Sequence, residues 1–194
     1  PTSGSCLVRG RPAGEHVGEV AIAFQAARLQ LMRARVDLEV AREFEKISGR
    51  KYGLFEAYRL DDAEYAMVII NSAAGTGKEA VDSLREKGVK AGLLKIRLFR
   101  PFPADEIAAA LKHVKAIAVM DRAESFSGNG GPLGAETRSA LYNAGNRAIS
   151  INYVYGLGGR DVRVKDLTSV FESLISAESS RDISEPYRYL GVRE

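Results

Sequence analysis

The chain has 194 residues, 45% hydrophobic and 27% charged, a balance that excludes a disordered or collagen-like protein. Its net charge is 28 − 25 = +3 with no dense Lys/Arg block, and it has no apolar run of ~18 residues, so neither nucleic acid nor a membrane is an expected partner. One cysteine, Cys6, rules out an internal disulfide and a four-cysteine cluster within this chain, and His16 and His113 lack metal-ligand spacing.

No secretory leader pattern opens the chain, and a cytoplasmic location is the expectation. The first residue, Pro1, is expected to mark a fragment or a processed product. In chain order, residues 1–60 are read as a lead-in and a long helical arm, 61–178 as an α/β domain and 179–194 as a loose polar tail.

Residues 15–48 carry helical spacing. Val17, Val20, Phe24, Ala27 and Leu31 form one apolar stripe, and Met32, Val36, Val40, Phe44 and Ile47 form a second. Gly49 is placed to cap the C-terminus. Two offset stripes suit a helix with two packing partners, either inside the core or at an interface. The stretch "LFEAYRLDDAE" reads as a linker. Beyond it, "YAMVII" (65–70), "AGLLKIRLF" (91–99), "KAIAVMD" (115–121) and "AISINYVYG" (148–156) read as four strands. Helical patterns lie between and after them at 75–88, 104–113, 131–145 and 164–178. Pro132 suits a first-turn position, and Asp161 or Asp166 could start the last helix. Strands alternating with helices imply βαβ units and a mostly parallel sheet covered on both faces.

Ligands in such sheets sit beyond the carboxyl ends of the strands. Four loops fall there: "NSAAGTG", "RLFRPFP", "DRAESFSGNGGPLG" and "YGLGGRD". The first looks like a phosphate loop, G-x-x-x-x-G-K-[ST]. However, Ser72 stands where its first glycine belongs, and Glu79 stands where the magnesium-binding hydroxyl belongs. A tight strand-to-helix turn with close helix packing explains it better. "GLGGRD" ends in Asp161 where the dinucleotide fingerprint needs glycine, and no further βαβ unit follows to bind a ribose. Arg160 could offer a fixed charge to a carboxylate or phosphate. The loop holding Gly128, Gly130, Gly131 and Gly134 permits close backbone approach, either by a ligand or, as preferred here, by another chain. The candidate interface or ligand-contact residues are therefore Arg122, Ser125, Asn129, Gly130, Gly131, Arg160 and Asp161. No catalytic, cofactor-binding or metal-binding residue emerges; Asp121 and Glu124 do not define an acid/base pair, and His113 lies opposite these loops.

Taken together, "NSAAGTGKEAVDSLREKGVKAGLLKIRLFRPFP", "AVMDRAESFSGNGGPLGAETRSALY" and "NYVYGLGGRDV" resemble the C-terminal part of the alpha subunit of pyruvate:ferredoxin oxidoreductase and its 2-oxoacid relatives. "GRKYGLFEAYRLDDAEYAMVI" resembles the segment leading into that part, and the likeness covers residues 44–174. The "RLFRPFP" turn is shared more loosely with transketolases. The resemblance implies a Rossmann-like, three-layer α/β domain of the transketolase C-terminal type, preceded by the helical arm. It also implies an enzyme that decarboxylates a 2-oxoacid, pyruvate by expectation, to acyl-coenzyme A and CO2 and passes electrons to ferredoxin. Its cofactors would be thiamine diphosphate, Mg2+ and 4Fe–4S clusters, bound mainly outside this chain. Its partners would be thiamine-binding and ferredoxin-like subunits, ferredoxin and coenzyme A. This segment would be structural, and inactive alone. The alternatives are a transketolase-type or thiamine-dependent dehydrogenase C-terminal domain, and a nucleotide-binding domain.

Overall fold

A computed structural model describes residues 7–8, 11–12, 27–126 and 128–192, with side chains from Leu38 onward. The chain divides into two units, one of residues 1–54 with 98–101 and one of residues 55–97 with 102–194.

In the first unit, β1 (Leu7–Val8) pairs antiparallel with β2 (Arg11–Pro12), and α1 spans Ala27–Ser48. Residues 15–26 of the expected arm lie outside the described residues. Gly49 closes α1 as anticipated: it takes φ +69°, and its amide donates to the Glu45 carbonyl at 2.8 Å. Phe44 packs edge-on against Tyr52 at 5.5 Å. Val40 and Ile47, from the second apolar stripe, are exposed.

The second unit is built on one sheet. Its strands are β3 (Phe55–Tyr58), β4 (Tyr65–Ile70), β5 (Ala91–Ile96), β6 (Ala116–Asp121), β7 (Ile149–Tyr155) and β8 (Tyr187–Leu190). They lie in the order β3-β5-β4-β6-β7-β8, with β3 antiparallel to β5 and the other neighbours parallel. The helices are α2 (Ala73–Glu86), α3 (Ala104–Ala110), α4 (Pro132–Asn143) and α5 (Val164–Ser180). α2 packs with α5, and α3 with α4. The expected three-layer α/β architecture is therefore present.

Alternation along the strands sorts the core. Met67, Ile69, Leu93, Ala118, Met120, Ile151, Tyr153 and Tyr155 join α2 and α5 in one buried cluster that includes Phe171 and Leu174. The intervening residues, among them Val68, Leu94, Ile117, Val119 and Val154, are also buried, which is why these strands read as continuous apolar runs. Burying one such side chain stabilises the fold by about 1.5–3 kcal/mol.

Two stretches differ from the sequence reading. The expected linker contains β3, and the expected polar tail contains β8. Both are edge strands, and their polar composition hid them. Glu56 of β3 pairs with Lys78 and Arg97, and Arg188 of β8 hydrogen-bonds the Glu185 carbonyl. Two elements are shorter than expected: α3 ends at Ala110, and β5 ends at Ile96 before the Leu98–Pro101 stretch joins the first unit.

Arg85 of α2 ties the β3–β4 turn to the start of β5. Its Nε donates to the Ala91 carbonyl at 2.6 Å, one terminal nitrogen donates to the Arg59 carbonyl at 2.7 Å, and Asp62 receives both terminal nitrogens. The Arg85 guanidinium beside Asp62 holds its carboxyl below the usual aspartate value. Lysine cannot reproduce this fork. Arg85→Lys is expected to lower unfolding free energy by about 1–2 kcal/mol through the two lost carbonyl bonds. The midpoint of urea unfolding reads this, with unchanged slope; an unchanged midpoint would show the fork to be dispensable.

Candidate functional site

The order in which the chain adds strands reverses between the parallel neighbours β4 and β6. β4 leads through α2 to β5 on one side, and β5 returns through α3 to β6 on the other. Sheets of this kind open a crevice beyond the carboxyl ends of the strands at such a switch point. The loops singled out in the sequence converge on this end, and they form two distinct environments there.

The first is the glycine-rich loop between β6 and α4. Asp121 ends β6 and is 4% exposed. Its Oδ1 accepts the amide of Leu133 at 2.9 Å, and its Oδ2 accepts the amide of Gly134 at 2.8 Å. A carboxylate thus meets the free amides and positive end of α4. Asn152 of β7 completes the set. Its Nδ2 donates to Asp121 Oδ2 and to the Val119 carbonyl, both at 2.9 Å, and its Oδ1 accepts the Gly131 amide at 2.7 Å. This closeness explains the glycines. A Cβ on Gly134 would lie 2.5 Å from Asn152 Cγ, and one on Gly131 would overlap the Asp121 carboxyl. Gly130, Gly131 and Gly134 therefore have an intramolecular reason to lack side chains.

The rest of the loop is closed from outside. Ser125 donates its amide to the Gly130 carbonyl at 2.9 Å, and Arg138 donates to the Asn129 carbonyl at 2.8 Å. Tyr187 of β8 donates its hydroxyl to Glu124 Oε1 at 2.6 Å. Burial, reinforced by that carboxylate, pushes the Tyr187 phenol up to about 12. At the tip, Phe126 is fully exposed.

The second environment is a pocket of about 190 Å³ lined by Ser72, Ala73, Thr76, Arg122, Tyr155, Arg160, Asp161 and Val162. The structure thus separates the sequence candidates. Arg122, Arg160 and Asp161 line this pocket, whereas Ser125, Asn129, Gly130 and Gly131 belong to the glycine loop. Ser72, Thr76 and Tyr155 were not among the candidates. The first two sit in the "NSAAGTGKEA" stretch, whose likeness to a phosphate loop was the available signal. Tyr155 carried none, since it reads as the end of an apolar strand.

The phosphate-loop likeness does not extend to its lysine. Lys78 Nζ is bound to Glu56, and Gly77 serves packing, since a Cβ there would lie 2.5 Å from Leu93 Cδ1. Asp166, rather than Asp161, starts α5: its Oδ2 accepts the Arg163 amide at 2.8 Å. His113 donates from Nε2 to the Leu60 carbonyl at 2.8 Å, a structural contact.

Over residues 63–167 the sequence matches the family described as pyruvate:ferredoxin oxidoreductase core domain II. It is 46% identical over 156 residues to pyruvate synthase subunit PorA of Thermotoga maritima, covering 80% of this chain and 39% of that protein. It is 43% identical over 152 residues to ketoisovalerate oxidoreductase subunit VorA of Pyrococcus abyssi, covering 78% of this chain and 38% of that protein. The chain spans less than half the length of these relatives. Among solved structures, a split-gene transketolase described as an inactive beta4 tetramer matches with TM-score 0.53 and 10% identity, covering 67% of this chain and 45% of that one. That likeness is one of fold.

The glycine loop yields two expectations. Gly131→Ala must displace Asp121 and should cost about 2–4 kcal/mol, read by chemical unfolding; a cost below about 0.5 kcal/mol would show that the loop relaxes freely. Tyr187 favours its neutral form in the folded state. Its contribution is therefore present below the ordinary tyrosine value of 10 and is lost as pH rises through about 12. In that window the native chain should lose stability more steeply than Tyr187→Phe, measured by melting temperature against pH. Parallel curves would dissociate Tyr187 from the alkaline transition.

Proposed function

The chain belongs to the pyruvate:ferredoxin oxidoreductase core domain II family, and from that premise we propose that it is the transketolase C-terminal-like part of the alpha subunit of a 2-oxoacid:ferredoxin oxidoreductase. The observation that carries this reading is the reach of the family match, residues 63–167, which runs from before β4 into α5. The proposed reaction is the oxidative decarboxylation of a 2-oxoacid to an acyl-coenzyme A and CO2, with electrons passed to ferredoxin. Pyruvate is the proposed substrate, in keeping with the PorA relative; a branched 2-oxoacid is the second reading, in keeping with VorA.

Thiamine diphosphate would supply the decarboxylation chemistry in the assembled enzyme, but the carboxylates of the glycine loop, Asp121 and Glu124, do not fit its metal-bound diphosphate. A diphosphate held through Mg2+ needs free oxygen ligands. Both Asp121 oxygens are occupied by Leu133, Gly134 and Asn152, and Glu124 is engaged by Tyr187. A single cysteine cannot hold a 4Fe–4S cluster. No reaction step is assigned to this chain, and the cofactors are proposed to lie mainly outside it, on other domains or subunits.

Its proposed work is to join and support those domains. The α/β body, residues 55–97 with 102–194, would be the support, and α1 would be the docking arm. Two exposed features suit docking. Val40 and Ile47 lie uncovered on α1, and Phe126 stands uncovered at the tip of a loop that is rigid at its base. Ser125 and Asn129 flank Phe126 and would form the rim of the contact. Aromatic anchors of this kind concentrate binding energy.

Native mass spectrometry of the protein isolated from its source tests the reading. The expected result is an assembly carrying thiamine diphosphate and iron that reduces viologen with pyruvate and coenzyme A. A free 21.1 kDa species without activity would overturn it. Within the assembly, Phe126→Asp should leave the melting temperature of the chain unchanged but weaken subunit association by at least about tenfold. Unchanged association would remove Phe126 from the interface.

A further inference from the structure

The pocket beside α2 has the composition of an anion site, independently of any assembly role. It lies at the switch point between β4 and β6, and three segments build it: the turn from β4 into α2, the residue after β6, and the stretch from β7 to α5. α2 is 14 residues long and begins without a side-chain cap or an acidic residue in its first turn. No carboxylate of its own first turn caps it, whereas Asp121 accepts the first amides of α4. The Ser72 and Thr76 hydroxyls flank that end.

Two further residues, Arg122 and Tyr155, line the same pocket. Arg122 has its guanidinium 5.8 Å from the Tyr155 ring centroid and makes no ion pair or hydrogen bond among the described residues. Gly156 leaves room for it, since a Cβ there would stand 3.0 Å from Arg122 Nε. Tyr155 is 2% exposed, yet its hydroxyl has no hydrogen-bond partner. A buried hydroxyl without a partner is costly and uncommon. Burial pushes the Tyr155 phenol up despite the pull of Arg122, so it stays a neutral donor at physiological pH. Arg160 also lines the pocket while its guanidinium reaches the Gly191 carbonyl. Asp161 is the one carboxylate in the lining, and two arginines outweigh it.

We propose that this pocket binds the phosphoryl group of a small phosphate compound, with Arg122 as the counter-charge and the hydroxyls of Ser72, Thr76 and Tyr155 as hydrogen-bond donors beside the positive end of α2, whose Ala74 and Gly75 amides are already taken by the Asn71 and Ser72 carbonyls. A helix N-terminus with hydroxyls and an arginine supplies the directional donors that a phosphoryl group accepts. The volume, about 190 Å³, is below the ~300–1,000 Å³ of sites that enclose a drug-sized ligand, so the phosphoryl group is held and the remainder extends into solvent. The resulting site does without the lysine of a phosphate loop, because Lys78 is committed to Glu56.

Isothermal titration of the full chain with inorganic phosphate and with methyl phosphate, at fixed ionic strength, tests this. Saturable binding of at least one is expected. Tighter binding of methyl phosphate assigns a phosphate ester as ligand, and tighter binding of inorganic phosphate assigns the free ion. Arg122→Gln should weaken binding at least about tenfold. Its side chain is exposed, so the melting temperature without phosphate should not change. Tyr155→Phe should weaken binding about threefold while leaving the phosphate-free melting temperature equal or higher, because it removes an unpartnered buried hydroxyl. Absence of saturable binding, or equal binding by Arg122→Gln, overturns the proposal. A lowered phosphate-free melting temperature in Tyr155→Phe would overturn the role of the hydroxyl.

Discussion

The carboxyl end of this sheet is organised by one buried carboxylate. Among the described residues Asp121 has no ion-pair partner; what compensates its charge is the amide end of α4 and the side-chain amide of Asn152. A buried carboxylate with fewer donors would be strongly disfavoured, so the geometry around it has little freedom. Leu133 and Gly134 must present their amides, which sets where α4 starts. Asn152 must present Nδ2, which ties β7 to β6 and to the loop through Gly131. The glycines follow from this close approach.

The same constraint positions the neighbouring pocket. Side chains alternate along a strand, so when Asp121 turns toward α4, Arg122 is directed to the opposite side. That side carries Tyr155, α2 and α5. Two adjacent residues thereby serve two helices. α4 receives an internal carboxylate at its positive end, whereas α2 receives none and faces an arginine across a cavity instead. One helix end is closed by an internal carboxylate, and the other borders the pocket.

The sheet edges show a related division between framework and contact. β3 is held by Glu56 between Lys78 and Arg97, and β8 by Tyr187 on Glu124. Charged and hydrogen-bonded edges of this kind discourage strand-to-strand association. Apolar surface is left uncovered at Phe126 and on α1, and also at Tyr142, at Ile183 and at Tyr189 of β8.

Much of the fold was legible in the amino acids. β4, β5, β6 and β7 are continuous apolar runs because both sheet faces are covered, and the helices between them carry Pro132 and Gly145 at their ends, as local conformational preference requires. The failure of the phosphate-loop pattern at Ser72 and Glu79 was also legible, since that chemistry is specified position by position. The edge strands were not, because a half-exposed strand such as "YRYL" has the composition of a loop and is identified only by its neighbour. Nor could the sequence say which glycines serve the fold: Gly131 and Gly134 are required by Asp121 and by Asn152, which lies 21 residues beyond Gly131, and only folding brings them into contact. Tyr155 is the clearest case. Local pattern made it a core residue, and it is one, but whether its hydroxyl finds a partner depends on side chains from three separate segments. Periodicity and turn chemistry are local and so can be read from sequence; hydrogen-bond satisfaction and pocket composition are non-local, and the tertiary structure alone decides them.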